Sequence, residues 1–313
     1  MSASAVPRWA GPRRSRPRVG LVNGVPPPSA PMRALKGVLL ALCCGLVIGP
    51  FASVIATSLA SPQEVNAAGG FVLWPTHPTL NAYRAILAGG VVTRALAVSA
   101  GITVVGTVLS LAGTTLLAYA LSRPGSFAHK PLLFIVLLTL LFTPGIIPNY
   151  LLVQSLGLIN TYWALILPVL ISGFNVIIIR GFFLELPSEL IDSARIDGAG
   201  DVRILLRIVL PLSKAVLAVI GLFYAVGYWN SFFSALLYLT DNSKWPIQMV
   251  VVTYIINGTS LSPDQIALNG QVPPPQQSLE MAIVVMAIIP ILVIYPFVQR
   301  YFSRGVILGA VKG

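Results

Sequence analysis

The chain has 313 residues, of which 56% are hydrophobic and 9% are charged. Soluble globular domains carry about 25% charged residues, because charge keeps their surface hydrated. This composition excludes an ordinary water-soluble domain, and the long apolar stretches indicate a chain embedded in a lipid bilayer. The net charge of +11 follows from membrane topology and anionic lipid headgroups, so no nucleic-acid partner is expected.

Six apolar stretches are long enough to cross a hydrocarbon core of about 30 Å as helices. None contains Lys, Arg, Asp or Glu, as expected where a mid-bilayer charge costs roughly 2.5–3.5 kcal/mol. We therefore predict an all-α polytopic membrane protein with six transmembrane helices. The predicted spans are Gly37–Leu59, Ala95–Leu121, Pro131–Ser155, Tyr162–Ile179, Ala215–Leu239 and Met281–Gln299.

Basic residues are distributed unequally over the segments that flank these spans. Seventeen of the twenty Lys and Arg residues fall on one side, and Arg84, Arg94 and Lys244 fall on the other. The positive-inside rule places the side with seventeen in the cytoplasm. Both termini are therefore predicted to be cytoplasmic, which agrees with an even number of spans.

The N-terminal region is predicted to be a disordered basic cytoplasmic arm over residues 1–34, because it is rich in Arg, Pro and Ser without apolar periodicity. Residues 35–313 form the predicted transmembrane domain. A cleaved signal peptide is the alternative for the apolar run after the arm. That run exceeds the usual 7–15-residue signal core, which favours an uncleaved first span.

Catalytic chemistry has little support in the sequence. The chain lacks the Gly-x-x-x-x-Gly-Lys-Ser/Thr loop that cradles nucleotide phosphates. Its two histidines, His77 and His129, are far apart, and no His/Cys cluster has metal-ligand spacing. We therefore expect no enzymatic activity, cofactor or metal in this chain.

The hydrophilic segment Gly181–Pro211 holds five of the nine acidic residues. Pro187 and Ser188 predict a helix start, and Gly198 predicts its end. A second helix over Asp201–Val209 would carry an apolar stripe and a basic stripe. From physics alone, an amphipathic loop at the membrane interface and a docking site for a partner stay equally open. The acidic residues are Glu185, Glu189, Asp192, Asp197 and Asp201.

The spacing within this segment resembles the EAA signature of binding-protein-dependent ABC importer permeases. That signature reads Glu-Ala-Ala, three residues, Gly, nine residues and Ile-x-Leu-Pro. Asp192 replaces Glu and Ser193 replaces Ala, and both changes are conservative in charge or size. The matching residues are Asp192, Ser193, Ala194, Gly198, Ile208, Leu210 and Pro211.

The resemblance extends from Leu35 to the C-terminus, and the chain is identified as a member of the maltose-type branch of these permeases. Within that branch it is nearest the LplC- and YtcP-like members for complex or oligomeric saccharides. Four further segments carry the likeness: Pro144–Leu152, Leu156–Thr161, Trp229–Phe232 and Gly305–Gly313.

The resemblance implies the ABC type I importer permease fold and passage of a sugar or oligosaccharide across the bacterial inner membrane by alternating access. Residues 184–211 would form the EAA loop, a coupling helix seated in a groove of a separate ATPase. Gly198 would permit close backbone approach, and Asp192 would pair with a basic group on the ATPase. The implied coupling residues are Glu189, Asp192, Ser193, Ala194, Asp197, Gly198, Ile208, Leu210 and Pro211.

The resemblance also implies partners. These are an ATP-binding-cassette ATPase dimer, a second permease subunit, an extracytoplasmic substrate-binding protein and membrane lipid. The second permease is expected to be a related, distinct chain, with a homodimer as the alternative. Ser61–Arg94 and Thr240–Glu280 are the longer outer loops that a binding protein could meet, with Trp245, Pro246 and Gln248 as candidates.

Polar and aromatic residues inside the spans are the candidates for the substrate path, because a sugar needs hydrogen bonds and stacking faces in an apolar bundle. Helix–helix hydrogen bonding is the alternative role for each of them. Pro144 and Pro148 are predicted to kink the third span. The candidates are Asn149, Gln154, Asn175, Tyr228, Trp229 and Asn230.

Two other functional classes are weaker. A secondary transporter driven by an ion gradient usually has an intramembrane charge and repeated halves, and we find neither in the predicted spans. A membrane-embedded structural or assembly protein would leave the acidic helix–turn–helix segment without a role.

Overall fold

The structure is a computed structural model that describes residues 30–123, 125–260 and 274–310, with only the backbone described at 297, 298 and 300–310. Among these residues every regular element is helical. The helices are α1 Ala30–Leu59, α2 Pro62–Ala67, α3 Asn81–Ala88, α4 Val91–Ser122, α5 His129–Leu141, α6 Ile146–Ser155, α7 Trp163–Val169, α8 Gly173–Leu184, α9 Ser188–Ile196, α10 Asp201–Leu212, α11 Lys214–Trp229, α12 Phe232–Tyr238, α13 Ile247–Ile256 and α14 Gln276–Ala310.

The chain divides into two units, residues 1–52 and residues 53–313. Helix α1 begins in the first unit and ends in the second. Because α1 begins at Ala30, residues 30–34, which the sequence assigns to the arm, are helical. The remainder of the predicted arm lies outside the described residues.

Three described helices, α1, α4 and α14, are each long and apolar enough to cross a membrane in one piece. They cover the first, second and sixth predicted spans. Two bent pairs also qualify, α7 with α8 at 51° and α10 with α11 at 85°, so length and composition support up to five crossings. The all-α polytopic fold is confirmed, whereas six uninterrupted helices are not observed and the count of six stays a prediction.

Interruptions divide three of the predicted spans, of which the fourth is broken at residues 170–172 into α7 and α8. The third is broken at residues 142–145 into α5 and α6, and the fifth is broken at residues 230–231 into α11 and α12. Pro144 lies in the break of the third span. Pro148 lies in the first turn of α6, where its missing N–H removes no helical hydrogen bond. The predicted kink of the third span is therefore observed as a break that contains Pro144, whereas Pro148 interrupts no helix.

Helix α4 is the centre of the second unit and packs most extensively against α8 and α11. Its buried face is a stripe of small residues, which lets neighbouring helices approach closely. At Gly106 a Cβ atom would lie 2.7 Å from the ring of Tyr228, so glycine is required there. The stripe consists of Ser99, Thr103, Gly106, Ser110, Thr114 and Ala118.

Hydroxyl groups of this stripe tie the bundle together. Ser110 is hydrogen-bonded to the Tyr228 hydroxyl at 2.7 Å, and Thr114 is bonded to the Tyr224 hydroxyl at 2.6 Å. The backbone N–H of Ile247 donates to Ser99 Oγ at 2.8 Å. These bonds satisfy buried polar groups of an apolar bundle, and they connect α11 and α13 to α4.

Candidate functional site

The first helix of the EAA loop, α9, begins at Ser188 and ends at Ile196, as the sequence predicts. The chain then turns through Gly198, whose φ of +77° favours glycine. The Ala199 N–H donates to the Ala194 carbonyl at 2.9 Å, and the Gly198 N–H donates to the Arg195 carbonyl at 3.0 Å. These two bonds form a Schellman motif, which explains the local need for the glycine at this spacing.

The second helix of the loop, α10, begins at Asp201 and contains a π-helical turn over Leu205–Val209. Ile204 and Val209 are fully buried, whereas Ile208 and Leu210 are half-buried and Pro211 is exposed. The helix is therefore amphipathic, as the predicted apolar and basic stripes require.

The EAA loop is anchored to the transmembrane bundle by both of its helices. Ile191 of α9 and Ile204 of α10 belong to the same buried cluster as Phe183 of α8 and Tyr119 of α4. The Tyr119 hydroxyl donates to the backbone carbonyl of Asp201 at 3.3 Å. Both helices of the loop therefore share one packed core with α4 and α8.

Tyr119 is itself held from two sides. The Phe183 ring meets it edge-on, with centroids 6.3 Å apart. The Arg123 guanidinium carbon lies 4.7 Å from the centroid of the Tyr119 ring, a cation–π geometry. Nothing in the sequence indicated the hydrogen bond between Tyr119 and Asp201, because the two residues lie 82 positions apart along the chain.

The solvent-exposed surface of the EAA loop combines charged side chains with exposed apolar side chains. Ile196 is 87% exposed and Val202 is 70% exposed. The Arg195–Asp201 ion pair at 3.6 Å links the two helices, and pairs as exposed as this one contribute little stability. Ala194 is half-buried, and the exposed coupling candidates are Glu189, Asp192, Ser193, Asp197, Gly198 and Pro211. Ile196 and Val202 were missed by the sequence reasoning, although Ile196 directly precedes the candidate Asp197.

Three of the predicted path residues, Asn175, Tyr228 and Asn230, come together around one cavity of about 370 Å³, here called the polar cavity. It lies between α8, α11 and the segment that follows α11. Asn175 is buried, and the amide of Asn230 donates to the Val226 carbonyl at 3.0 Å. Other lining residues include Ser172, Phe223, Tyr224, Ser231, Phe233 and Ser234.

Asn149 lines an adjoining cavity of about 260 Å³, which shares Leu165, Val169, Phe233 and Ser234 with the polar cavity. Two predicted path residues are not brought to these cavities. Gln154 is exposed and lines neither of them. Trp229 is buried on another face of α11, where its indole N–H donates to the Ala287 carbonyl at 3.1 Å, so its observed role is helix packing.

Tyr224 is a cavity residue that the sequence reasoning missed. Its hydroxyl is bonded to Thr114 and accepts from the Ser172 N–H at 3.0 Å. Tyr228 likewise bonds Ser110 and donates to the Ile166 carbonyl at 3.3 Å. Both tyrosines thus serve the helix–helix bonding that the sequence left open, and both also line the polar cavity. Their spacing of four residues on one helix face is the signal that could have paired them.

On the other side of the bundle, the loop after α1 is organised by Glu64. Its carboxylate accepts from the Thr76 hydroxyl and from the backbone N–H groups of Ser61, Thr76 and His77. These hydrogen bonds, with the Thr76 hydroxyl first, lower the pKa of Glu64 to about 2. Of the outer-loop candidates, Pro246 is buried and Trp245 half-buried.

Comparisons with known proteins agree with this arrangement. The family described as "Binding-protein-dependent transport system inner membrane component" matches residues 95–308. The chain is 46% identical over 276 residues to the polygalacturonan/rhamnogalacturonan transport system permease protein YtcP of Bacillus subtilis (strain 168), covering 88% of this chain and 95% of that protein. It is also 46% identical over 270 residues to Protein LplC of the same organism, covering 86% of this chain and 90% of that protein.

A solved structure shares the fold. It is the crystal structure of a bacterial ABC transporter involved in the import of the acidic polysaccharide alginate, with a TM-score of 0.81 and 30% sequence identity. The match covers 89% of this chain and 100% of that one. The EAA spacing, the helical fold and these likenesses agree, and the chain belongs to the family of binding-protein-dependent ABC importer permeases.

Proposed function

We propose that this chain is the membrane-spanning subunit of an ATP-driven importer, which passes a saccharide across the inner membrane by alternating access. ATP hydrolysis takes place on a separate subunit that docks on the EAA loop, residues 184–211. The observation that carries this proposal is the exposure of Ile196 and Val202, at 87% and 70%, on a loop whose base is buried in the bundle. Apolar side chains exposed on an anchored, charged loop are typical of a surface that a partner covers.

Docking and coupling follow from the same geometry. Glu189, Asp192 and Asp197 place carboxylates beside the exposed Ile196, so the surface suits a groove with a basic rim. Closure of the ATPase pair would move the loop as a rigid body, since both of its helices are packed into the bundle. Helix α4 would carry that movement from Tyr119 to Ser110 and Thr114, which hold the two cavity tyrosines.

A saccharide fits the two cavities. The side-chain amides of Asn149, Asn175 and Asn230 line them together with the aromatic rings of Phe233 and Tyr228. Such surfaces bond sugar hydroxyls and stack on sugar faces. Among the described residues, no Lys, Arg, Asp or Glu lines either cavity, whereas ion-coupled secondary transporters rely on an intramembrane charge. The relatives support the class, because YtcP and the alginate importer are named for polysaccharides.

The complete transporter would contain an ATPase dimer, a second permease chain and an extracytoplasmic substrate-binding protein. Both termini would be cytoplasmic, on the same side as the EAA loop, in agreement with the distribution of Lys and Arg. The cavities lie within one chain of a pore that two permeases complete, and membrane lipid covers the remaining apolar surface.

Affinity purification from the native membrane in mild detergent, followed by mass spectrometry, tests this function. We expect an ATPase and a second permease in roughly matched amounts. Ile196→Asp should lose the ATPase while keeping the second permease, and Leu73→Asp, an equally exposed position on an outer loop, should lose neither. Recovery of the chain alone, or equal ATPase recovery with both variants, would refute docking on the EAA loop.

A further inference from the structure

A third cavity, here called the outer groove, lies between α4 and α7 and measures about 510 Å³, within the usual range of ligand sites. On α7 it is lined by Trp163 and Ile166, whereas Ala164 and Leu165 line the adjoining cavity. The outer groove therefore lies on the other face of α7 from the two cavities assigned to the saccharide. Its walls are almost entirely apolar, which is unsuitable for a sugar.

The α4 wall of the outer groove has the length of one membrane leaflet. It runs from Arg94 through Ala97 and Gly101 to Val105. The eleven helical steps from residue 94 to residue 105 rise about 16.5 Å, roughly half of a hydrocarbon core of about 30 Å. Small residues at positions 97 and 101 open this wall, and a Cβ added at Gly101 would meet nothing within 4 Å. The groove therefore has room for a single extended acyl chain.

Arg94 forms one end of the α4 wall, and Tyr162 and Trp163 line the outer groove from the start of α7. Tyr and Trp are the residues that favour the membrane–water interface. No described carboxylate forms an ion pair with Arg94. The pKa of Asp241 is lowered first by hydrogen bonds from Ser243, and the charge of Arg94 is the smallest of its causes. The guanidinium is thus available to an external anion, and its planar donors suit a phosphate.

We propose that the outer groove binds one anionic phospholipid of the outer leaflet, with its phosphate at Arg94 and an acyl chain along Ala97, Gly101 and Val105. The assignment to the outer leaflet rests on the orientation proposed above, which places Arg94 at the end of α4 opposite the EAA loop. Charge, wall length and interfacial aromatics all agree with this ligand. Two properties follow: Arg94 sets the headgroup preference, and Gly101 leaves room for the acyl chain.

Native mass spectrometry of the complete transporter tests the proposal. The complex is equilibrated with vesicles of equal parts phosphatidylglycerol and phosphatidylcholine, and the retained lipids are counted for each variant. Wild type should retain phosphatidylglycerol in preference. Arg94→Gln should reduce that preference about tenfold, the effect of losing one charge-assisted contact, and Arg94→Lys should restore part of it. Arg84→Gln, an exposed arginine that lines none of the three cavities, is the matched control.

Gly101→Leu tests the acyl site separately, because a Cβ at this position meets nothing within 4 Å and the longer side chain would occupy the groove. It should abolish retention of both lipids at this site, whereas Val104→Leu, an exposed position on another face of α4, should not. Equal headgroup preference in Arg94→Gln and Arg84→Gln would overturn the proposal. Unchanged retention in Gly101→Leu, or a cross-link from position 101 to another polypeptide, would overturn it as well.

Discussion

Substitution of Gly198 by asparagine, aspartate and alanine separates the effect of backbone conformation from the effect of an added negative charge. Gly198 has φ = +77°, and a Cβ added there meets nothing within 4 Å in this chain. Any effect on the isolated chain is therefore one of backbone conformation rather than of steric crowding. Asparagine and aspartate are tolerated at positive φ and have the same shape, so they differ mainly by one negative charge.

The expected magnitudes follow from the Schellman turn. For alanine the left-handed conformation costs about 1–2 kcal/mol, which lowers the population of the turn by a factor of roughly 5–30. If the ATPase binds only the formed turn, its affinity falls by at most the same factor. The asparagine variant should lose only a few-fold in affinity for the ATPase. Aspartate should lose more than asparagine, because it buries an additional carboxylate without a partner at the docking surface.

The assay is transport and ATP hydrolysis by the purified complex in proteoliposomes, with the amount of inserted chain measured for each variant. All three variants should insert normally, since the EAA loop lies outside the spans. Aspartate should uncouple hydrolysis from transport most strongly. Identical results for aspartate and asparagine would show that charge is irrelevant there, and wild-type behaviour of all three would refute the docking role of the loop.

Three further predictions test the link to the bundle, its packing and the outer loop. Tyr119→Phe removes the hydrogen bond to the Asp201 carbonyl while keeping the ring contacts, so the amount of substrate transported per ATP hydrolysed should fall in proteoliposomes. Its free energy of unfolding should change by no more than about 1 kcal/mol. Gly106→Ala should lower the free energy of unfolding by about 1–3 kcal/mol, and with it the unfolding temperature, because its Cβ would lie 2.7 Å from a tyrosine ring. Gly181→Ala is the control and should not lower the unfolding temperature, because a Cβ there meets nothing within 4 Å. Glu64 has a pKa lowered to about 2. The stabilisation that it gives its loop is therefore full above its ordinary pKa of 4.5 and is lost as the pH falls towards 2. Hydrogen exchange of the loop amides should be faster in Glu64→Gln than in wild type at neutral pH, and this difference should vanish near pH 2.

The sequence predicted elements that depend on local pattern. Uninterrupted apolar runs located α1, α4 and α14, and the proline, serine and glycine signals located both ends of α9. Pro144 predicted the break in the third span. The break between α11 and α12 was not predicted, because an apolar run carries no signal for a short turn at Asn230 inside it.

Side-chain direction could not be predicted in the same way. Tyr228 and Trp229 are adjacent, and consecutive helical residues point about 100° apart. Only one of them can therefore line the polar cavity, and apolar composition does not say which. Asn175 reaches that cavity through the 51° bend between α7 and α8. Tertiary packing determines which of these side chains face the polar cavity, and the local pattern of apolar residues does not encode that packing.

Site-specific cross-linking from Ile196 tests the central claim most directly. Ile196→Cys is placed in a background with Cys43→Ser and Cys44→Ser, since these are the two cysteines of the chain, and it is cross-linked in native membranes. The account predicts a product whose partner peptides come from a protein with the phosphate-binding Gly-x-x-x-x-Gly-Lys-Ser/Thr loop, and no such product from Leu73→Cys. Cross-linking of Ile196→Cys only to lipid or to its own chain would contradict the account.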